Sequence, residues 1–169
     1  MTLRRARATD VPQLPAVEVS SGRLFERLTL QSTADPDETL PLATLYEALR
    51  DNGLWVAVDG ADRPVGFVAV VRHGDESFVA QLSVALEAQG QGLGRELMKA
   101  AIVDARARGS RAVTLTTFRD VPWNAPFYAR LGFRMLAPDE LSAHLVATLA
   151  DEAARGLLPT ERCAMRLTF

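Results

Sequence analysis

Leu82-Ser83-Val84-Ala85-Leu86-Glu87-Ala88-Gln89-Gly90-Gln91-Gly92-Leu93-Gly94-Arg95-Glu96-Leu97-Met98 is the stretch whose reading decides the fold. Its start reads as the end of a strand from Ser77 to Val84, with Phe78, Ala80 and Leu82 on one face. Its end is amphipathic, since Leu93, Leu97, Ala101 and Ala105 recur four apart until Gly109 closes a helix. Between them lies a glycine-rich turn, Gln89 to Gly94. A strand that feeds a helix through such a turn offers free backbone N–H groups and the positive end of the helix dipole. Glycines let an anion approach the backbone closely, so the turn predicts a site for a phosphate or pyrophosphate. The same glycines also suit a plain tight turn.

The spacing discriminates among nucleotide loops. A P-loop ends in Gly-Lys-Ser/Thr, but Lys99 is the only lysine in the chain and lies beyond the turn. A dinucleotide fingerprint starting at Gly90 would need glycine where Arg95 stands. The remaining pattern, Q/R-x-x-G-x-G/A, binds coenzyme A, and Gln89-Gly90-Gln91-Gly92-Leu93-Gly94 fits every position.

Outward from this stretch the chain alternates strands and helices. Leu3 to Ala6 reads as a first strand. Thr9-Asp10 before Val11-Pro12 reads as the N-cap of a helix running to about Ser20. Residues 22–39 read as a continuation or second helix followed by a loop, and Pro41 to Arg50 as a helix stopped at Asn52-Gly53. Leu54–Val58 and Val65–Val71 form a hairpin. Beyond the glycine turn, Ala112 to Thr117 is a β-branched strand, Asn124 to Leu131 a short helix, and Phe133 to Leu136 a strand. Pro138 to Arg155 reads as one helix and Arg162 to Leu167 as the last strand. The expectation is α/β, with antiparallel hairpins first and a strand-helix-strand unit in the middle.

Composition narrows the functions. The 169 residues suit one domain over 1–169, 48% apolar and 24% charged, with no need of disulfide or metal staples. A net charge of −2 argues against a dedicated nucleic-acid binder. Cys163 is alone, and His73 and His144 belong to no ligand-spaced motif, so no metal is expected. No apolar run of signal or membrane-span length occurs, which leaves a cytoplasmic protein without membrane partners as the expectation.

A second motif, Asn124-Ala-Pro-Phe-Tyr-Ala-Arg-Leu-Gly-Phe133, follows the glycine turn. With both motifs in this order, and an opening Leu3-Arg4-Arg5-Ala6, the chain resembles the GCN5-related N-acetyltransferase (GNAT) superfamily. The resemblance covers most of the chain and is weakest over residues 20–50 and 137–160. It implies a mixed, mostly antiparallel central sheet with a splayed parallel strand pair and helices on both faces. It also implies acetyl-CoA as co-substrate. Leu82, Ser83 and Val84 would pair with the pantetheine arm. The turn of Gln89, Gly90, Gln91, Gly92, Leu93, Gly94 and Arg95 would wrap the pyrophosphate. Asn124 and Phe127 would flank the arm, Asn124 also serving as helix N-cap. Tyr128 stands where the family places the general acid for the leaving thiolate.

The base is where this sequence departs from the family. Many members carry a glutamate where Gln81 stands, and an amide can orient substrate or water but cannot take a proton. Glu18 and Glu26 in the N-terminal helical region, or Asp75 and Glu76 near the strand, are candidate replacements. Trp123, beside Asn124, is a candidate wall of the acceptor site. The activity implied is acetyl transfer to a primary amine, of a small molecule first, with a protein N-terminus or lysine as the second class. A homodimer is also implied. A non-catalytic acyl-CoA-binding or sensing module is the rival, motivated by Gln81.

Overall fold

The computed structural model describes residues 1–169. A seven-stranded sheet runs in the order β1-β2-β3-β4-β5-β7-β6. The strands are β1 (Thr2–Arg5), β2 (Leu54–Val58), β3 (Pro64–His73), β4 (Glu76–Val84), β5 (Ala112–Phe118), β6 (Arg134–Met135) and β7 (Arg162–Thr168). All pairings are antiparallel except β4 with β5.

Helices cover both faces. On one, α3 (Leu93–Ala107) and α4 (Ala125–Ala129) enclose a core of Val68, Val79, Leu97, Met98, Leu115 and Tyr128. On the other, α1 (Leu14–Gly22), α2 (Leu42–Arg50) and α5 (Ala143–Ala154) cover Val56, Phe67, Phe78 and Ala164. No helix is long and apolar enough to cross a membrane.

Two irregularities in β4 position everything that follows. Its parallel pairing with β5 extends only from Glu76↔Ala112 to Phe78↔Thr114, and beyond that point the strands part. Against β3 the register slips, with Val70 opposite Val79 but Ala69 opposite Gln81, so Ala80 is a bulge residue. The bulge corrects the expected alternation. Phe78 and Ala80 face the α1/α5 side, whereas Leu82 and Val84 join Val79 on the α3 side. An extra residue reverses every side chain beyond it, and Gln81 and Ser83 are thereby turned toward α1.

Other expectations need correction. Asp10 precedes a 3-10 turn (Val11–Gln13), but its carboxylate does not cap it. It is buried and receives Arg4 Nη1 at 2.7 Å and the Arg7 N–H at 2.7 Å. The helix expected from Pro138 to Arg155 is two pieces, a 3-10 turn (Pro138–Glu140) and then α5. Ser142 restarts the chain as a true N-cap, its Oγ accepting the Leu145 N–H at 3.4 Å. Asn124 occupies the N-cap position of α4 without capping it.

Residues 28–41 form a strap without regular structure apart from a turn at Pro36-Asp37. Its landing is the α5–β7 connection. Thr33 N–H donates to Gly156 O at 2.9 Å, while Gln31 N–H and Ser32 Oγ donate to the Glu161 carboxylate at 2.8 and 2.6 Å. Glu38 adds an ion pair with Arg155 at 3.4 Å.

Candidate active site

The gap between β4 and β5 opens into a cavity on each face of the sheet. The α3-side cavity, of about 390 Å³, is lined by Leu82, Val84, the glycine turn, Trp123, Asn124, Phe127 and Tyr128. The α1-side cavity, of about 240 Å³, is lined by Glu18, Glu38, Gln81, Ser83, Thr116, Phe118 and Arg162 among others. Leu82, Asn124, Tyr128, Ser21 and Phe25 line both, so the two cavities share a wall where the strands part.

The glycine turn is built as an anion cradle. Gly90 and Gly92 hold φ of 75° and 79°, a left-handed backbone that side-chain-bearing residues adopt at a cost. A Cβ on either would project into open space, so conformation and not crowding selects glycine there. The N–H groups from Gly90 through Arg95 donate to no acceptor within the protein. Together with the α3 N-terminus they form a row of donors suited to phosphate oxygens. Gln89 lines the cavity, but its amide braces the turn by donating to Val84 O at 2.9 Å. Gln91 is exposed and does not line the cavity.

Beyond Phe78, the β5-facing edge of β4 has no strand partner, which leaves its outward backbone groups around Leu82 open to an extended ligand, while Val84 O is taken by the Gln89 amide and Ser83 turns its carbonyl toward β3. Ser83 itself is buried, accepts the Gln81 amide at 2.9 Å and lines the α1-side cavity only. Asn124 is oriented from β5, because Thr117 Oγ1 donates to its Oδ1 at 2.6 Å. The Asn124 NH₂ group is left facing the cavities.

Tyr128 is buried with its ring between Phe127 and Phe133, edge-on to both. Its hydroxyl makes no hydrogen bond within the protein. Burial raises the phenol above its ordinary range, with the Arg162 charge opposing weakly, so the proton is retained at neutral pH.

The carboxylates sort themselves by position. Glu18, on α1, lines the α1-side cavity and has no cationic partner; one oxygen accepts the Leu40 N–H at 3.0 Å. Burial pushes its pKa up to about 7, Glu38 adding in the same direction against the Leu40 N–H. Glu26 belongs instead to a separate surface depression with Val19, Arg23 and Asp37, and does not reach the site. Asp75 and Glu76 are tied to Arg111, and Glu76 also to Arg166, at the paired end of β4. Trp123 lines the α3-side cavity, edge-on to Phe25 at 5.7 Å, and not the α1-side one. Cys163 is buried in the core, its thiol raised by burial, in a setting suited to packing rather than nucleophilic attack. No three His, Cys, Asp or Glu side chains converge as a metal site.

Thr117 and Arg162 carry no motif, and sequence reading passes over both. Only the β5–β7 register, which sets Phe118 opposite Arg162 and Thr117 opposite Cys163, brings them to the gap.

Comparison with known proteins agrees with this fold. The model of the acetyltransferase (GNAT) family matches residues 23–133. A mycothiol acetyltransferase from Actinosynnema mirum is 43% identical over 84 residues, which are 48% of this chain but only 28% of that relative. Among solved structures, Rv2747 from Mycobacterium tuberculosis, in complex with CoA, aligns over 100% of this chain and 99% of its own, at 23% identity and TM-score 0.68. A GNAT-family acetyltransferase from Staphylococcus aureus Mu50 aligns over 99% and 98%, at 14% identity and TM-score 0.71. The family match spans the glycine turn, the parting strands and the Asn124–Phe133 segment alike: the chain belongs to the GNAT family of acetyltransferases.

Proposed function

We propose that the chain transfers the acetyl group of acetyl-CoA to the primary amine of a small molecule. The observation that carries this is the meeting of two unlike cavities at Tyr128. One has a phosphate cradle and an open strand edge. The other has an unpaired carboxylate under a strap that spans from α1 to the α5–β7 connection.

In this reading the thioester lies along β4, with its carbonyl taking a backbone N–H near Leu82 and the Asn124 amide holding the pantetheine. Glu18 removes one proton from the acceptor's ammonium. The neutral nitrogen attacks the thioester carbon, a C–N bond forms, and the negative oxygen is held by the backbone donor. The C–S bond then breaks as Tyr128 gives its proton to sulfur. The proton shed by the acylated nitrogen returns to Tyr128, and Glu18 releases its own to solvent. Gln81, bonded to Ser83, orients the acceptor or a water and takes no proton. Glu18 supplies the base missing at Gln81, which supports an enzyme over a silent CoA-binding module. The strap narrows the acceptor side, which supports a small molecule over a folded protein surface.

The test is thiol release from acetyl-CoA with a panel of small amines and peptides, using the wild type and Tyr128→Phe. Turnover with small amines that Tyr128→Phe lowers about 10²- to 10³-fold is the expected result. Binding of acetyl-CoA without turnover of any panel member would establish the silent module instead.

A further inference from the structure

The α1-side cavity has walls of opposite chemistry. Over β3 and β4 lies α1, with Glu18 facing in; over β5 and β7 lies α5, and at its foot Arg162 faces in from β7. The Arg162 side chain is only 11% exposed. Its Nε and Nη2 donate to the two oxygens of Glu152, each at 3.0 Å, and Glu152 is 5% exposed and also accepts Thr116 Oγ1 at 2.5 Å. The guanidinium carbon sits 4.7 Å from the centre of the Phe118 ring. The group is therefore fixed flat, one edge spent on Glu152. Its Nη1 has no acceptor within the protein.

A fixed guanidinium edge with unused donors in a small cavity suits a planar oxyanion, and arginine binds carboxylates through such parallel donors. The opposite wall holds one unpaired carboxylate only, since Glu38 is engaged by Arg155 at 3.4 Å. One ammonium is thus matched, while a second cation on the acceptor would meet Arg162. We propose that the acceptor carries a carboxylate beside its primary amine, as an α-amino acid does, with the carboxylate on Arg162 and the amine toward Glu18. This rests on the acetyltransferase reading and adds the acceptor's class to it.

The experiment uses the full chain with acetyl-CoA and the free α-amino acids. For the best of these, the α-carboxamide and the decarboxylated amine are compared, with kcat/KM expressed per free amine. The free acid should exceed both by tenfold or more. Arg162→Lys keeps the charge and loses the fork; it should bring that ratio near one while CoA affinity by calorimetry stays close to wild type, with a melting temperature lowered by the loss of the fork to Glu152. Carboxamide or amine used as well as the acid overturns the proposal, as does a ratio unchanged in Arg162→Lys. Acetylation of other amines but of no amino acid overturns it while leaving the acetyltransferase reading intact. Absence of acetyl-CoA binding would remove both.

Discussion

Thr117 Oγ1 donates to Asn124 Oδ1 at 2.6 Å, and this bond fixes which end of the Asn124 amide faces the cleft. With the oxygen engaged, only the NH₂ group is offered to a ligand carbonyl. Thr117 is 3% exposed, so valine can occupy its site with the hydroxyl replaced by a methyl. Thr117→Val should weaken acetyl-CoA binding about tenfold, the worth of roughly 1–1.5 kcal/mol for an orienting hydrogen bond. Thr117→Ser should restore it. Calorimetric titration with CoA separates this from a change in kcat.

Tyr128→Phe should lower kcat about 10²- to 10³-fold, in the range of a lost general acid. CoA affinity and melting temperature should change little, because the hydroxyl has no partner within the protein and the ring stays packed. Steady-state kinetics alongside calorimetry distinguishes the two effects.

Glu18 titrates about 7, so its basic form increases as pH rises through that value. The log of kcat/KM should therefore climb with unit slope below about pH 7 and level above it, provided free-amine concentration is held constant. Glu18→Gln should remove this limb. Stability moves the other way. A carboxyl whose folded pKa is raised makes the native state bind more protons than the unfolded chain between about 4.5 and 7. Its contribution to stability is thus present at low pH and is lost as pH rises through that window. Glu18→Gln should accordingly be more stable than wild type at pH 8, by about 1–2 kcal/mol after relaxation, and nearly equal at pH 4. Denaturant titrations at the two pH values check this.

Gly92→Ala should cost about 1–2 kcal/mol of stability, because a residue with a Cβ must adopt a φ of 79°. Gly92→Glu adds a negative charge beside the phosphate cradle and should reduce CoA affinity a further tenfold or more. Unchanged CoA affinity in Gly92→Glu would remove the assignment of the turn.

His144 stacks on His73, with ring centres 3.5 Å apart, and both rings meet the edge or face of Phe78. Burial lowers the His144 pKa and the neighbouring His73 lowers it further, while Glu76 opposes. A histidine with a depressed folded pKa binds fewer protons in the native state. Its contribution to stability is complete above its ordinary value of about 6.5 and is lost as pH falls below it. His144→Phe should flatten the decline in melting temperature between about pH 6.5 and 5, read by calorimetry across that range.

Local signals carried much of the fold. The glycine turn, the β-branched strands and the Asn124–Phe133 segment each announce themselves within a dozen residues, and the mixed sheet follows from their order. The bulge at Ala80 left no local trace, since Phe78, Ala80 and Leu82 alternate as they would in a regular strand; the slip exists only in the pairing with β3. The site divided in the same way. The α3-side cavity is lined largely by two short segments, the glycine turn and Trp123–Tyr128, whose motifs stand out within the sequence. The α1-side cavity draws Glu18 from α1, Glu38 from the strap and Arg162 from β7, and no spacing rule links residues that meet only through the sheet order. His73 and His144 are a further case, far apart in sequence and face to face in the fold.

The strap and its landing are a matched pair. Glu161 accepts from Gln31 and Ser32, Ser32 in turn accepts the Leu158 N–H at 3.3 Å, and a Cβ on Gly156 would come within 2.8 Å of Thr33 Oγ1. Exchanging residues 28–41 alone would strand the Glu161 carboxylate and press new side chains on Gly156. The cover of the α1-side cavity is therefore inherited in two sequence blocks that must change together, 28–41 and 155–161, while the glycine turn between them can stay as it is.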